Sequence, residues 1–225
     1  MKVPDKVWIV SEVYYPDEQG GGHFMTKLAE GLAQTCNVYV ICGFAHRYSD
    51  QHDLPKSEIH NNVHIERCHS TKYDKKRLLL RLINFVTISI SIFIKSLSNI
   101  RNGNLVVVVT TPPSLPFVIA IACKIVRAQC ILRIEDIYPE ASIATGIIGS
   151  HSIVGHFLSF LNKCLYNRVD HITVLGRDMA RLVIEKLRRN SREKCVTIIP
   201  NWADLDLITP GIKGSNPLIL KQAYL

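Results

Sequence analysis

Apolar runs alternate with amphipathic stretches along almost the whole chain of 225 residues. Residues 105–109 are five consecutive apolar residues, which is typical of a parallel strand buried on both faces. The repeated change from strand-like to helical periodicity predicts βα units and a doubly wound parallel sheet, a Rossmann-like α/β fold. Strands are predicted at residues 7–11, 37–42, 63–67, 105–109, 130–135, 171–175 and 194–199, and helices at residues 23–34, 114–127, 152–167 and 177–189.

Residues 78–97 fit two patterns. Residues 87–94 alternate apolar and small polar side chains, as a half-exposed strand does. Polar side chains from Asn84 to Ser98 also recur at steps of three and four, which gives a helix with one polar stripe. The neighbouring strands are predicted to be parallel, and a parallel pair needs a crossover connection that is normally helical. We therefore predict a helix for this segment.

The formal net charge of +8 indicates an acidic partner. The charge is concentrated, because residues 72–101 hold seven basic residues and one acidic residue. Aromatic residues are sparse there, and no zinc-finger, RNA-recognition or helix-turn-helix pattern occurs, so nucleic acid is not the predicted partner. Anionic lipid and phosphorylated substrates remain as candidates.

A basic segment leads directly into the apolar face of the helix predicted at residues 78–97. Only thirteen uncharged residues separate Arg81 from Lys95, a stretch too short to cross a bilayer. We therefore predict peripheral contact with an anionic membrane surface, to which exposed basic residues are attracted. The predicted contact residues are Lys75, Lys76, Arg77, Arg81, Leu82 and Phe85.

The seven cysteines are scattered, with no C-x-x-C pair and no His/Cys cluster at the spacing of a metal site. This usage is typical of free thiols in a reducing cytosol. The first six residues are polar and do not resemble a signal peptide. We predict a cytoplasmic protein, peripheral on the inner face of the plasma membrane, that binds no metal ion.

Gly20, Gly21 and Gly22 lie between the first predicted strand and the first predicted helix. Glycine lets the backbone approach a ligand closely, and the N–H groups at a helix start favour a phosphate. The spacing is not G-x-G-x-x-G, and no acidic residue ends the second strand to hold a ribose, so a nicotinamide cofactor is not predicted. We predict that these glycines contact a phosphate and that the adjoining His23 approaches a phosphate or a sugar; a merely flexible turn is the alternative.

Three carboxylates, Glu135, Asp136 and Glu140, follow the strand predicted at residues 130–135. Ligands bind at the carboxyl edge of the strands in open α/β sheets. A carboxylate there can orient or deprotonate a sugar hydroxyl, or bind a hydroxyl passively. Helix capping and surface ion pairing are the alternatives. Asp136 is the predicted catalytic residue, and Glu135 and Glu140 are predicted to bind substrate.

Several stretches resemble family-4 glycosyltransferases, whose GT-B architecture has two Rossmann-like domains. The run VSEVYYP at residues 10–16, followed by GGG at residues 20–22, resembles the opening of these enzymes. TPPS at residues 111–114 with EDIYPE at residues 135–140 is similar to a subgroup with an Asp, Ile or Leu, aromatic, Pro, Glu signature. That subgroup makes bacterial capsule, exopolysaccharide and O-antigen chains and includes enzymes resembling fucosamine transferases. Further matching stretches are LYNRVD at residues 165–170 and IIPNWAD at residues 198–204.

The resemblance implies that a nucleotide sugar is held as a substrate in a cleft between two domains, without a cofactor or a metal ion. The glycine loop would face the donor diphosphate or the acceptor, and Asp136 would face the reacting sugar. The amino-terminal domain would supply the membrane contact and the site for a lipid-linked or growing surface-polysaccharide acceptor.

The resemblance also divides the chain. Residues 1–200 correspond to the amino-terminal, acceptor-side domain, residues 201–217 are a linker rich in Pro and Gly, and residues 218–225 begin a second domain that is otherwise missing. We therefore expect no sugar transfer by this chain alone, and a separate donor-domain chain is a candidate partner. Two alternatives stay open: a non-catalytic membrane-associated subunit that holds the acceptor and recruits a donor-binding chain, and an unrelated nucleotide-binding Rossmann module.

Overall fold

A computed structural model of the chain describes residues 6–17, 20–44, 54–71, 73, 77–146, 149, 152–187 and 196–203. Eight strands and six helices lie in these residues. The strands are β1 (Lys6–Val10), β2 (Asn37–Gly43), β3 (Ser57–His60), β4 (Val63–Cys68), β5 (Leu105–Val109), β6 (Gln129–Ile134), β7 (His171–Val174) and β8 (Val196–Ile198). The helices are α1 (Gly21–Leu32), α2 (Leu78–Asn99), α3 (Leu115–Val126), α4 (Glu140–Ala144), α5 (Ile153–Tyr166) and α6 (Arg177–Lys186).

The strands form one sheet in the order β3-β4-β2-β1-β5-β6-β7-β8. Every neighbouring pair is parallel except β3 and β4. In β1, Val7 lies beside Val38 of β2 on one side and Leu105 of β5 on the other. The predicted parallel Rossmann-like sheet is confirmed.

The core has two layers, one on each face of the sheet. Val106 and Val108 of β5 belong to the layer that also contains Ile88 of α2, whereas Val107 and Val109 belong to the layer beneath α1. Alternate residues of a strand point to opposite faces, so an uninterrupted apolar strand fills both layers. Helices α2, α3, α5 and α6 contribute to the first layer and α1 to the second.

Helix α2 confirms the helical interpretation of the ambiguous segment. It joins β4 to β5 and buries Ile88 and Ile92 against the sheet. Its polar stripe is hydrogen-bonded to the chain that leads into it: the Asn84 side chain accepts from the Thr71 hydroxyl at 2.7 Å and donates to the Tyr73 carbonyl at 3.0 Å. The stripe is thus a packing surface, and a buried polar side chain with both kinds of partner costs little.

Length and composition give α2 a second interpretation. The stretch Leu79–Asn99, with a mean hydropathy of 1.6, is long and apolar enough to cross a membrane. The thirteen uncharged residues between Arg81 and Lys95 had predicted a segment too short to do so. A helix buried in the core of a globular domain meets the same criterion. Here 28% of an 18-residue window of the stretch is buried inside the protein, and the inner side of the helix packs on the sheet as the crossover between two parallel strands.

The edge of the sheet contains a strand that the sequence did not predict. Strand β3 lies between the strands predicted at residues 37–42 and 63–67, and it pairs antiparallel with β4. The two strands are joined by Asn61 and Asn62, whose φ values of 48° and 62° suit a two-residue hairpin turn. An edge strand buries little apolar surface, so its side chains carry almost no periodic signal.

Candidate functional site

The predicted site residues meet where β1, β5 and β6 end. The chain after β1 passes Asp17 and Gly20 before entering α1, which begins with Gly21 and Gly22. The chain after β6 carries Glu135 and Asp136. Thr110, which follows β5, links the loops: its hydroxyl oxygen accepts the backbone N–H of Glu135 at 3.2 Å and that of Asp136 at 3.4 Å. These bonds hold both carboxylates at the carboxyl edge of the sheet.

Glu135 and Asp136 nevertheless serve opposite faces. Asp136 lines the space beside α2 and α3. A Cβ atom on Gly21 would lie 2.9 Å from Glu135 Oε2, so the Glu135 carboxylate rests against the start of α1. Consecutive residues of an extended chain point to opposite sides, and the alternation of β6 continues into this loop. One sequence motif therefore contributes to two separate environments.

Glu135 lies in a small polar network around the buried side chain of Arg133. The guanidinium of buried Arg133 donates from Nη2 to Asn201 Oδ1 at 2.6 Å, and its Nε lies 3.6 Å from Glu135 Oε1. Burial raises the pKa of the Glu135 carboxyl; Arg133 opposes this shift and the Asp136 charge reinforces it. A phosphate placed at the start of α1 would therefore meet a carboxylate as well as the helix N–H groups.

The three glycines are needed for different reasons. Gly20 has φ 58° and ψ −131°, a conformation that side-chain-bearing residues avoid. A Cβ atom on Gly22 would lie 2.5 Å from the Asp17 carbonyl oxygen and 2.9 Å from Val13 Cγ1. The loop is thus folded tightly back on the first turn of α1, which begins without a side-chain cap.

His23 lies on the surface of α1. Its ring contacts Phe24 edge to face at 5.7 Å, and Phe24 in turn contacts Trp202 at 5.5 Å. His23 lines neither of the two pockets described next. Together with the glycines and Trp202 it forms the α1 side of the candidate site.

A polar pocket of about 200 Å³ opens beside the glycine loop. Three carboxylates, Glu12, Asp17 and Asp136, line it together with a single cation, Arg81. Asp17 is buried, and its Oδ1 has no hydrogen-bond partner among the described residues. Carboxylates accept hydrogen bonds and repel anions, so this pocket suits the hydroxyl groups of a sugar better than a diphosphate. The structure describes no set of three His, Cys, Asp or Glu side chains arranged to hold a metal ion.

An apolar groove of about 580 Å³ adjoins the polar pocket. Helices α2, α3 and α5 form its walls with side chains that include Val86, Phe117, Leu158 and Leu161. The groove and the polar pocket adjoin each other, because they share part of their lining. The shared residues are Arg81, Phe85, Thr110, Pro113, Asp136 and Tyr138.

The structure separates Glu140 from the other predicted site residues. Glu140 begins α4, and its Oε1 lies 2.5 Å from Lys186 Nζ of α6. It lines neither the groove nor the polar pocket. Its position matches the ion-pair alternative.

The predicted membrane-contact residues divide in a similar way. Arg81, Leu82 and Phe85 line the groove, and Arg77 is exposed at the start of α2. Lys75 and Lys76 lie outside the described residues. The segment predicted to touch a membrane thus also builds one wall of the groove.

Sequence reasoning missed Asp17 and Thr110. Asp17 lies three residues before Gly20, in the same turn as the predicted phosphate site, but it was passed over in favour of the glycines. Thr110 directly follows the most apolar strand, where a hydroxyl at the carboxyl edge is a usable signal. Asp17 and Thr110 line the same pocket because β1 and β5, which precede them, are neighbours in the sheet.

Comparison with known proteins agrees with this architecture. No protein-family model matches the chain. Over 146 residues the chain is 27% identical to the probable glycosyltransferase WbjE of Pseudomonas aeruginosa, a match that covers 65% of this chain and 36% of that protein. The sequence likeness is therefore to a glycosyltransferase, and the finer subgroup remains a prediction.

Two solved structures share the fold. Sucrose-phosphate synthase from Thermosynechococcus elongatus superposes with a TM-score of 0.57 at 13% identity, over 98% of this chain and 53% of that one. HepE from Anabaena, solved in complex with UDP and glucose, superposes with a TM-score of 0.56 at 13% identity, over 97% and 50%. The chain spans about half the length of these structures. Its fold is that of a Rossmann-like half of the GT-B architecture.

Proposed function

We propose that this chain forms the acceptor-side half of a glycosyltransferase, which transfers a sugar from a nucleotide sugar to a lipid-linked or growing surface-polysaccharide acceptor. The observation that carries the proposal is the apolar groove beside a carboxylate-lined pocket, with Asp136 in the lining of both. The similarity to WbjE supports the reaction class. The space has the polarity of an amphipathic molecule, apolar along most of its length and hydroxyl-binding at one end.

The acceptor fits this space in one direction. Its hydrocarbon chain lies between α2, α3 and α5, against side chains such as Phe117 and Leu161. Its sugar lies in the polar pocket, where Asp17 and Asp136 accept hydrogen bonds from hydroxyl groups. Arg81 lines both spaces and attracts the phosphate that joins lipid to sugar.

In this arrangement Asp136 acts on the attacking hydroxyl. The carboxylate accepts the hydroxyl proton as the acceptor oxygen bonds to the anomeric carbon of the donor sugar, and the nucleoside diphosphate leaves with the electrons of the broken bond. Thr110 positions Asp136 through the backbone N–H group. Asp17 orients the acceptor from the opposite wall of the pocket.

The donor belongs on the α1 side. Gly20, Gly21 and His23 line the approach to the carboxyl edge there, beside Trp202. Because the Glu135 carboxylate rests against the start of α1, where it would repel a diphosphate, we propose that most donor contacts come from a second half, in the same polypeptide or in a separate chain. This chain alone then transfers no sugar, since the alignment of donor and acceptor accounts for roughly 7–11 kcal/mol of such barriers.

A second candidate function is an acceptor-binding subunit without catalysis of its own, which recruits a donor-binding chain. Both the groove and the polar pocket are complete within the described residues, so acceptor binding requires no second half. The two functions differ in what Asp136 does. A catalytic Asp136 limits turnover and leaves acceptor affinity nearly unchanged, whereas a binding-only Asp136 changes affinity.

We propose that the chain lies at the cytoplasmic face of the plasma membrane, where lipid-linked acceptors are available. Arg77 and Arg81 at the start of α2 attract anionic headgroups, each by about 1 kcal/mol at a surface of that kind. Contact of this sort is peripheral and weakens with salt.

Acceptor binding by the 225-residue chain tests the proposal. We expect a polyprenyl-diphosphate-linked monosaccharide in detergent to bind at least about tenfold more tightly than the free monosaccharide, because the hydrocarbon chain buries apolar surface. Leu161→Asp, in the groove wall, abolishes that preference, and Ile59→Asp, on the distant β3, retains it. Equal affinity for the two ligands would overturn the assignment of the groove.

A further inference from the structure

Helix α5 exposes a large apolar surface that has no role in the groove. Ile153 is 88% exposed, Phe157 58% and Phe160 62%, and Val154 beside them is also exposed. Their spacing of one, four and seven residues places them along one side of the helix. We call these four residues the α5 ridge.

The apolar surface of α5 continues from the ridge to the side that faces the groove. Leu158 and Leu161 line the groove, and Leu165 is buried in the core. The remaining side of the helix is polar, with His156, Ser159, Asn162 and Lys163, so the apolar face of α5 is wider than the part that the groove and the core cover. The ridge therefore requires a partner outside the described residues.

The ridge is part of a larger apolar surface. Of the 18 exposed large hydrophobic residues in the described part of the chain, 12 lie on α2, α3 and α5. Those on α2 include Leu82 and Val86, which flank the groove from the side opposite α5. The ridge and these residues thus border the opening of the same groove.

The charges on these helices identify the partner. None of the 22 residues of α2, the 12 of α3 or the 14 of α5 is acidic, although the chain contains 19 Asp and Glu residues. The same helices carry the basic residues Arg81, Lys95, Lys124 and Lys163. Apart from Lys95, which pairs with Glu66, the basic residues of these helices give the apolar surface a positive edge that complements an anionic bilayer.

We propose that the α5 ridge inserts into the boundary between headgroups and acyl chains of an anionic bilayer. The inference rests on the proposed function, and it adds a second membrane element to the basic start of α2. With the ridge inserted, the groove between α2 and α5 opens toward the acyl chains. A lipid-linked acceptor can then enter the groove sideways, without its hydrocarbon chain crossing water.

Vesicle binding at two salt concentrations separates the two elements. Phe157→Ser with Phe160→Ser removes apolar insertion, and we expect about a tenfold or greater loss of binding to phosphatidylglycerol vesicles at both low and high salt. Arg77→Gln with Arg81→Gln removes charge attraction, so its effect is confined to low salt. The matched control is Ile59→Ser with Ile198→Ser, two exposed apolar residues on other parts of the sheet.

A gain of signal complements this loss. Phe157→Trp keeps the ridge apolar. We expect the emission that this variant adds to that of the natural protein to shift to the blue on anionic vesicles and to be quenched by brominated acyl chains.

Four outcomes decide between the ridge and its alternatives. Unchanged vesicle binding by the double serine variant would overturn the proposal, and so would added emission in Phe157→Trp that vesicles leave unchanged. A change from dimer to monomer in the serine variant with vesicle binding intact would also overturn it and assign the ridge to a protein interface. If Leu161→Asp loses the lipid preference but still inserts into vesicles, the ridge proposal is supported independently of the acceptor groove.

Discussion

The two faces of the sheet differ in how tightly they are packed at the carboxyl edge. On the α1 face, Gly22 leaves no room for a Cβ atom, and Glu135 and Asn201 form a polar network around buried Arg133. On the opposite face, α2, α3 and α5 line a groove of about 580 Å³. The tight face suits a fixed backbone site and the open face suits a large flexible ligand. The neighbouring residues Glu135 and Asp136 contribute one carboxylate to each.

The largest expected effect concerns Asp136, the carboxylate on the open face. In an enzyme assembled with its donor-binding half, we expect Asp136→Asn to lower turnover by about 10²–10⁴-fold, because the base that receives the hydroxyl proton is lost. Glu135→Gln, one residue earlier but on the other face, should lower it far less. Radiolabelled sugar transfer measures both, with Asp178→Asn on the exposed surface of α6 as control. Equal losses at positions 135 and 136 would contradict the division between the faces.

Packing of the tight face is tested by Gly22→Ala. The new methyl group collides with backbone, the Asp17 carbonyl oxygen at 2.5 Å, so we expect the free energy of unfolding to fall by about 1–3 kcal/mol. Gly31→Ala in the same helix meets nothing within 4 Å and should raise it by roughly 0.5–1 kcal/mol. Urea denaturation compares the two. A neutral Gly22→Ala would show that the loop is not held against α1.

The link between the faces is the Thr110 hydroxyl, which accepts N–H groups from both Glu135 and Asp136. Thr110→Val keeps the shape and removes the acceptor, and we expect a loss of about 0.5–1.5 kcal/mol in stability together with slower turnover. Thr110→Ser retains the hydroxyl and should behave like the natural protein in thermal melts and transfer assays. Full activity of the valine variant would show that the position of Asp136 does not depend on this bond.

The smallest expected effect is a pH dependence on the tight face. Burial raises the pKa of Glu135 above its ordinary value of 4.5, so ionisation of Glu135 costs stability in the folded protein. The stabilisation present while Glu135 is protonated, below pH 4.5, is lost as the pH rises through the folded-state pKa. Glu135→Gln does not titrate, and we expect its melting temperature relative to the natural protein to rise between about pH 4 and pH 7. A constant or falling difference would refute the shift.

Most of the sheet could be predicted because periodicity records burial. Strand β5 matches its predicted bounds, and the helix α2 followed from the need to connect two parallel strands. Strand β3 was missed because an edge strand buries little. Helix α4 was missed because its five residues are too few to show helical periodicity.

The site was less predictable than the sheet. The carboxylates after β6 were recognised together, but the structure sends Asp136 to the groove, Glu135 to α1 and Glu140 to Lys186. Asp17 was not singled out, although it is buried and lines the polar pocket. Which face a loop side chain serves depends on backbone geometry past the end of a strand, where hydrophobic periodicity stops.

The sequence by itself determined the alternation of strands and helices, the carboxyl-edge position of the glycines and carboxylates, and the basic, acid-free character of α2. Each of these depends on local periodicity or on residue type. The tertiary structure alone decided that α2, α3 and α5 enclose a groove, that Thr110 links two loops, and that the α5 ridge borders the groove opening. These features join residues far apart in the chain, and only the order of strands in the sheet brings such residues together.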